Sequence, residues 1–351
     1  MKDKQVRLGF IGAGFMGQLG HIQPHLENPR AQLYAVAEMR PGLRDEVKRR
    51  YGFCQAYASG DELLADPGVD AVVAVTARPH TGPIALKVLK ARKHLLTEKP
   101  MCGTLSQAEQ LVSAASAAKA VYQVAYHRRH DLGARRGRET FNELVASGEL
   151  GSLNYVRYHC FSGDTYRKIV GDVRTEEPKS DDLERWPMTP EWLTDARKPD
   201  YEHFVNAGCH FVNIVRFFLP GTPEVRFVNM KNRAAQLIAL DTGLCPALIE
   251  IGDFGYNEWD DHLECYFTKG RLRISFSAPM HRSVGARIEL YKGGSEPVVI
   301  SPQTPPSWAF DLQARAFVAS ILDGAPNVAL GADAIEDIRL IETIWRKETG
   351  A

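Results

Sequence analysis

A glycine-rich turn near the amino terminus constrains the fold of this chain more than any other feature of its sequence. Gly12, Gly14 and Gly17 form the pattern GxGxxG, which follows an apolar run directly and opens a segment with helical spacing. In that context the first glycine permits a tight turn, the second lets a pyrophosphate approach the backbone, and the third lets the helix pack closely. The N–H groups at the start of the helix then face the phosphates. The pattern predicts a dinucleotide site that includes Phe15 and Met16.

Short apolar runs alternate with helical patterns over the first third of the chain. The runs are nearly continuous in hydrophobicity, as in parallel strands that are covered on both faces. The predicted strands are Val6–Ile11, Leu33–Ala37, Ala71–Thr76, His94–Thr97 and Val121–Tyr126, and a helix capped by Ser106 is predicted over Ser106–Ala118. The alternation predicts an α/β fold in which residues 1–124 form a Rossmann domain with a doubly wound parallel sheet.

The pattern changes after residue 126. A helix is predicted over Arg135–Ser147. Residues 162–200 are polar and proline-containing, which predicts a long loop, and their many charged residues predict that this loop forms one wall of a roomy site. The predicted strands of this part are Leu153–Phe161, Val225–Arg233, Ala247–Ile251, His262–Phe267, Leu272–Phe276 and Ala286–Leu290, and the last predicted helices are Phe310–Leu322 and Ala332–Arg346. Turns rather than crossover helices separate the strands. Residues 125–351 are therefore predicted to form a second α/β domain with a mainly antiparallel sheet for substrate binding and oligomerisation.

An acid follows the second predicted strand. Glu38 lies twenty-one residues after Gly17, where a carboxylate accepts the ribose hydroxyls of NAD and repels the 2′-phosphate of NADP. Arg40 and Arg44 lie just beyond and offer a place for that phosphate, so NAD is favoured and NADP is the alternative. The neighbouring cofactor candidates are Met39, Arg40 and Thr76.

Glu98, Lys99 and Pro100 end the fourth predicted strand. Ligands of open parallel sheets bind beyond the carboxyl ends of the strands, so Lys99 is expected on the same edge as the glycine turn. Pro100 permits a cis peptide bond at Lys99–Pro100. Glu98 and Lys99 are therefore predicted to contact the cofactor, and the Lys99 ammonium to hydrogen-bond the oxygen of a forming carbonyl. A solvated loop position is the alternative for a lone lysine.

These stretches resemble the Gfo/Idh/MocA oxidoreductases, a family that includes glucose–fructose oxidoreductase and inositol dehydrogenases. The resemblance rests on residues 12–17, on residues 69–73 with Thr76, and above all on residues 91–100, which end in Glu98-Lys99-Pro100. It covers the first 130 residues closely and the rest loosely. It implies a Rossmann domain followed by an α/β domain with an open antiparallel sheet often used for oligomerisation. A homodimer or homotetramer is expected.

A predicted helix over residues 201–218 carries the candidate base. Asn206, His210 and Asn213 fall on one face by their spacing, and an imidazole suits the removal of a hydroxyl proton while hydride leaves for nicotinamide. The resemblance implies a catalytic histidine at His210 with an acid four residues before it. Asn206 stands in place of that acid, so it orients the substrate or the ring without stabilising an imidazolium by charge. A core histidine is the alternative.

Further residues are candidates for substrate binding. Residues 126–131 resemble an aromatic-x-Arg-Arg-aromatic-Asp segment that borders the substrate in the family, which implies that Arg129 and His127 contact hydroxyls or an anion; an interdomain salt-bridge cluster is the alternative. An indole stacks well on a sugar ring, although packing is the simpler role for Trp259. The remaining candidates are His159, Asp164 and Asn206.

Composition excludes several classes of function. The 43 basic and 43 acidic residues balance, so the chain offers no overall basic face for nucleic acid. Its apolar runs are too short for a signal peptide or a membrane span, which predicts a cytoplasmic protein without a membrane partner. The six cysteines form no CxxC pair, and no metal site is expected.

The sequence therefore predicts an NAD-dependent dehydrogenase that acts on a secondary hydroxyl of a sugar, glycoside or cyclitol. One alternative keeps NAD bound and oxidises a glycoside transiently to permit cleavage or epimerisation. Another is a non-catalytic dinucleotide-binding regulator, against which the presence of both Lys99 and His210 argues.

Overall fold

The computed structural model describes residues 4–163, 169–179, 182–219, 221–255 and 258–351. The chain folds into two compact units, each assembled from three segments. Unit 1 comprises Met1–Tyr126, Val170–Pro190 and Phe310–Ile338, and unit 2 comprises His127–Ile169, Glu191–Ala309 and Arg339–Ala351. The predicted domains have a single division after residue 124. The structure differs in that residues 170–190, here called the return segment, and residues 310–338 come back to unit 1.

Unit 1 contains a six-stranded parallel sheet with the order β3-β2-β1-β4-β5-β6. Its strands are β1 Val6–Ile11, β2 Ala31–Ala37, β3 Gln55–Tyr57, β4 Ala71–Ala74, β5 His94–Thr97 and β6 Tyr122–Val124. Its connecting helices are α1 Gln23–Leu26, α2 Pro41–Tyr51, α3 Gly60–Ala65, α4 Arg78–Lys90 and α5 Leu105–Ala118. All four residues of β4 are buried, as expected for a strand covered on both faces. The predicted Rossmann fold is confirmed.

The start of α5 differs from the prediction. The helix is capped by Thr104 rather than Ser106: the Thr104 hydroxyl accepts a hydrogen bond from the Gln107 backbone N–H, and the Gln107 side chain accepts one from the Thr104 N–H. This reciprocal capping box satisfies two backbone donors that the helix leaves unpaired. The spacing of Ser106 and Glu109 suggested the same motif two residues too late.

The core of unit 1 draws on distant segments. Phe10 of β1 packs edge-on against Phe53, and Phe317 of the carboxy-terminal part is fully buried in the same cluster. Val173 of the return segment packs against that cluster. The apolar faces of the sheet are thus completed by residues far away in sequence.

Unit 2 contains an eight-stranded sheet with the order β14-β13-β12-β11-β7-β10-β9-β8. Its strands are β7 Leu153–Ser162, β8 Glu224–Asn232, β9 Ala235–Asp241, β10 Pro246–Asp253, β11 Trp259–Phe267, β12 Gly270–Ser275, β13 Arg287–Lys292 and β14 Val298–Ile300. Neighbours are antiparallel except β7 and β10. This confirms the predicted mainly antiparallel sheet.

Two long helices of unit 2, α6 Leu132–Ser147 and α7 Lys198–Phe218, precede and follow β7 in sequence. Tyr158 of β7 lies against Phe211 of α7, with ring centroids 5.5 Å apart. Tyr201 at the other end of α7 packs against the buried Trp345. The contacts fix which face of α7 meets the sheet. The last helices of the chain are α8 Ala309–Asp323 and α9 Gly331–Thr349.

Candidate functional site

The glycine turn of unit 1 has the geometry that a dinucleotide requires. Gly12 adopts a φ of +91°, and a Cβ there would lie 2.2 Å from the Val75 carbonyl oxygen, so only glycine fits. At Gly14 a Cβ would meet no atom within 4 Å. The chain is helical from residue 15 to residue 26, with π-helical turns over Gly17–Ile22. The backbone at Gly14 is therefore open to an approaching group at the start of a helix.

A cleft of about 530 Å³ adjoins this turn, within the usual size range of small-molecule sites. We call it the cofactor cleft. Among its lining residues are eight of the predicted cofactor residues: Gly12, Gly14, Met16, Gly17, Glu38, Met39, Arg40 and Thr76. The Thr76 hydroxyl is buried and has no hydrogen-bond partner among the described residues. Phe15, Glu98 and Lys99 are not part of the lining.

Glu38 contacts the glycine turn at Ala13. Its carboxylate accepts hydrogen bonds from the Ala13 N–H at 3.1 Å and from the Arg40 guanidinium at 2.8 and 3.0 Å. Burial opposes ionisation, but the hydrogen bonds from Arg40 and Ala13 lower the pKa of Glu38 overall. A buried, charged acid thus stands next to the glycine turn, as predicted, and Arg40 is paired with it rather than extended toward a phosphate.

Glu98 has a supporting position in unit 1. Its carboxylate hydrogen-bonds His21 Nε2 at 2.8 Å and accepts the Lys99 backbone N–H at 3.0 Å. Burial opposes ionisation, but the hydrogen bond and charge of His21 and the charge of Lys99 lower the pKa of Glu98 overall. The Lys99–Pro100 peptide bond is cis. His21 lies in the helix that begins at the glycine turn, so this contact joins that helix to the end of β5. No motif in the sequence indicated the contact.

The return segment contributes to the cofactor cleft. Lys179, Leu183 and Arg185 are among its lining residues, and they belong to the long loop that was predicted to form one wall of a roomy site. The His80 ring, at the start of α4, hydrogen-bonds the Glu184 carbonyl oxygen at 2.9 Å, and the Trp186 N–H donates to the Pro79 carbonyl oxygen. These contacts hold the segment against unit 1.

In unit 2, α7 and the 3₁₀ turn His127–His130 bring several predicted residues together. The rings of His127 and His210 meet edge-to-face with centroids 5.4 Å apart. Arg129 donates a hydrogen bond from Nη2 to the Asn213 carbonyl oxygen at 3.0 Å and lies over the Phe217 ring. We call this group the α7 cluster; its members are His127, Arg128, Arg129, Asn206, His210 and Asn213.

Arg128 ties the α7 cluster to the sheet, a role that the sequence did not indicate. It forms a buried ion pair with Asp261 of β11, and its Nη1 donates to the Tyr158 hydroxyl at 3.1 Å. Tyr158 in turn donates to Asp261 at 2.6 Å. Burial raises the pKa of Asp261, which the Arg128 charge opposes. This closed network ties the 3₁₀ turn to two strands, β7 and β11. The sequence alone does not indicate which of the two adjacent arginines, Arg128 or Arg129, pairs with Asp261.

The other substrate candidates occupy different surroundings. Trp259 lies 6.0 Å from the Arg128 guanidinium, and its indole N–H is buried without a hydrogen-bond partner in the described part of the chain. His159 is not brought to this group, because it points to the opposite face of β7 from Tyr158. There it hydrogen-bonds Glu250 and stacks on His262. Asp164 lies outside the described residues.

Comparisons with known proteins agree with this geometry. Residues 6–126 match the model of an oxidoreductase family, GFO_IDH_MocA, described as having an NAD-binding Rossmann fold. The chain is 29% identical over 156 residues (43% of the chain) to a myo-inositol 2-dehydrogenase of Thermotoga maritima. It is 26% identical over 270 residues (76% of the chain) to an inositol 2-dehydrogenase of Rubrobacter xylanophilus. The chain spans 44% and 63% of the length of these two curated relatives.

The fold is also similar to a solved structure of levoglucosan dehydrogenase in complex with NADH and levoglucosan. The TM-score is 0.76 at 14% identity, over 99% of this chain and 98% of that one. The family resemblance predicted from the sequence is confirmed.

Within the described residues, no helix combines the length and apolar character that crossing a bilayer requires. The same residues contain no cluster of three or more histidine, cysteine or acidic side chains suited to a metal ion.

Proposed function

We propose, from the membership of residues 6–126 in the Gfo/Idh/MocA oxidoreductase family, that this protein is an NAD-dependent dehydrogenase. Its substrate would be a small carbohydrate: a sugar, a glycoside or a cyclitol. The reaction would oxidise a secondary hydroxyl of that substrate by breaking the carbinol C–H bond. The observation that carries the proposal is the cofactor cleft, where an open backbone at Gly14 and a charged acid at Glu38 lie together. The names of the curated relatives, inositol 2-dehydrogenases, support the substrate class.

The residues of the cleft fit a bound dinucleotide. The open space at Gly14 admits a pyrophosphate, and the buried Thr76 hydroxyl, without a partner among the described residues, offers a hydrogen bond to a ligand. Glu38 offers its carboxylate to the ribose hydroxyls. A dinucleotide held by these residues would supply the acceptor for the hydride of the carbinol carbon.

The remaining chemistry is proposed for the side chains. His210 in its neutral form accepts the hydroxyl proton as the carbinol C–H bond breaks and the C=O bond forms. The Lys99 ammonium donates a hydrogen bond to the substrate oxygen, which stabilises the charge that develops there. Asn206 orients the hydroxyl by hydrogen bonding. His127, packed edge-on against His210, limits the rotation of that ring, and Arg129 and Trp259 are assigned to the substrate side.

The direct test is turnover. Purified protein is incubated with NAD and a panel of inositols, sugars and glycosides, and reduced cofactor is followed by its absorbance. Oxidation of a member of the panel, abolished in His210→Ala and in Lys99→Ala with NAD binding retained, is the expected result. Tight NAD binding without turnover of any compound would instead support the non-catalytic regulator.

The return segment favours a second possibility for the catalytic cycle. Because Lys179, Leu183 and Arg185 line the cofactor cleft, a bound dinucleotide would be covered by residues that are themselves anchored to unit 1. We propose that NAD remains bound between turnovers. Native mass spectrometry of the protein as purified is expected to show the mass of one dinucleotide per chain, and a cofactor-free spectrum after gel filtration would contradict retention.

A further inference from the structure

The return segment places an acid, Glu177, at the start of α2, directly after Arg40 of the cofactor cleft. Both oxygens of Glu177 accept hydrogen bonds from the backbone at the start of α2: Oε1 from the Gly42 N–H at 2.9 Å and Oε2 from the Leu43 N–H at 3.0 Å. The capping position of α2 is Arg40, whose side chain makes no cap. Glu177 therefore supplies, from 134 residues away in sequence, the carboxylate that caps this helix.

Glu177 is held in this place by its own segment. The Thr175 hydroxyl donates to Glu177 Oε2 at 3.0 Å and accepts the Glu177 N–H at 3.1 Å. Further back, the buried Gln18 side chain accepts the Val173 N–H at 2.7 Å and donates to the Val173 carbonyl oxygen at 2.9 Å. Since Gln18 lies in the helix that follows the glycine turn, the same framework fixes the turn and the position of Glu177.

The surrounding groups show what Glu177 excludes. In NADP the extra phosphate is carried by the ribose whose hydroxyls an acid such as Glu38 accepts. The donors near Glu38 that suit a phosphate include the Arg40 guanidinium and the N–H groups of Gly42 and Leu43. Glu38 already accepts the hydrogen bonds of the Arg40 guanidinium, and Glu177 accepts those of the two N–H groups. Arg44 also donates to the Glu38 carbonyl oxygen at 3.2 Å.

The charge of Glu177 is stabilised where it lies. Hydrogen bonds from the Gly42 and Leu43 N–H groups lower the pKa of Glu177, so the carboxylate is ionised at neutral pH. The positive end of the α2 dipole favours that charge. A phosphate brought to the same helix end would have to displace a bound carboxylate and would face its repulsion.

From these contacts we propose that Glu177 is a specificity-determining residue that excludes the 2′-phosphate of NADP from the cofactor cleft. The inference rests on the proposed dinucleotide-binding function and deepens it. Glu38 selects the ribose hydroxyls directly, while Glu177 removes the helix end that would otherwise receive a phosphate.

Binding of the two cofactors to the full chain tests this inference without turnover. The dissociation constants of NAD and NADP are measured by isothermal titration calorimetry for the wild type, for Glu177→Gln and for Glu177→Ala. Loss of the charge is expected to tighten NADP binding by about tenfold, since like charges no longer meet, with little change for NAD. The preference of the wild type for NAD should also shrink between about 0.05 and 0.5 M salt.

Glu176→Gln is the matched control, because the exposed neighbouring acid loses the same charge without touching α2. It should keep the wild-type ratio of the two constants. If Glu177 only holds the return segment in place, the variants bind NAD and NADP more weakly by the same factor, and the ratio of the two dissociation constants stays constant. That result overturns the inference but leaves the proposed function intact. Absence of binding by either cofactor to the wild type would overturn both.

Discussion

The cofactor cleft and the α7 cluster are built in different ways. In the cleft the decisive groups belong to the backbone: the φ of Gly12, the open space at Gly14 and the N–H of Ala13. In the α7 cluster they are side chains, held by a buried ion pair between Arg128 and Asp261. A backbone site is encoded by local residues, whereas a side-chain site depends on partners brought from several elements.

The largest effect is expected at His210, in the side-chain region. His210→Ala removes the proposed proton acceptor, so kcat/KM should fall by about 10²–10⁴-fold while the dissociation constant of NAD stays the same. His203→Ala, on the same helix, is the control and should retain activity. The measurement is steady-state kinetics on the best substrate of the panel together with NAD titration. If His210→Ala also lost NAD binding, the proposed separation between a cofactor-binding cleft and a catalytic α7 cluster would be wrong.

The next effect concerns the stability of unit 2. Arg128→Ala leaves Asp261 buried without its cation, and the free energy of unfolding should fall by about 3–5 kcal/mol in urea titrations. Arg136→Ala breaks exposed pairs with Glu139 and Glu143 and should cost less than about 0.5 kcal/mol. The double variant Arg128→Leu with Asp261→Leu should recover part of the loss, because no charge is left unpaired. Equal losses for Arg128→Ala and Arg136→Ala would contradict the buried network.

A smaller effect sharpens the description of the backbone region. In Gly14→Ala the added Cβ meets no atom of the protein, so the melting temperature should stay close to that of the wild type. The same methyl group lies where a pyrophosphate would approach, and NAD binding should weaken by about tenfold. Gly12→Ala, with a Cβ 2.2 Å from a carbonyl oxygen, should unfold the turn. Unchanged NAD affinity in Gly14→Ala would show that the cofactor lies elsewhere.

The smallest effect is a pH dependence in unit 1. Burial lowers the pKa of His25 from 6.5 to about 4. The unfolded chain therefore binds this proton first as the pH falls, so stability is lost between pH 6.5 and 4 by up to about 1.4 kcal/mol per pH unit. His25→Gln should reduce the dependence of the unfolding free energy on pH by the contribution of about one proton. Urea titrations at several pH values measure this dependence. A slope equal to that of the wild type would assign the proton uptake to other groups.

The same contrast decides how much could be predicted from the sequence. β1 and β5 were predicted to the residue, and the glycine turn and Glu38 lie together as expected, because their signals are local. The three-residue strands β3 and β14 were missed, since short edge strands carry little apolar pattern. The seven-residue strand β9 was missed as well.

For the α7 cluster the sequence indicated the right stretches but not the contacts. Arg128 and Arg129 are adjacent and chemically identical, yet it is Arg128 that pairs with Asp261, a partner 133 residues away. His159 has a plausible residue type but lies on the other face of its strand. Glu177 lay within a segment that was predicted to be a long loop and one wall of the site, without any indication of its contact with α2. Such pairings depend on the register and packing of distant elements.

The three-segment composition of unit 1 also sets an order of events during synthesis. β6, at the edge of the parallel sheet, receives its outer partner from beyond residue 320: the Val124 N–H donates to the Ala329 carbonyl oxygen at 2.9 Å, and Gln123 pairs with Leu330. At about 5–20 residues per second, a ribosome needs roughly 10–40 s to deliver that partner. Throughout this interval the nascent sheet carries an unprotected edge, and translation speed becomes a determinant of how much chain escapes aggregation.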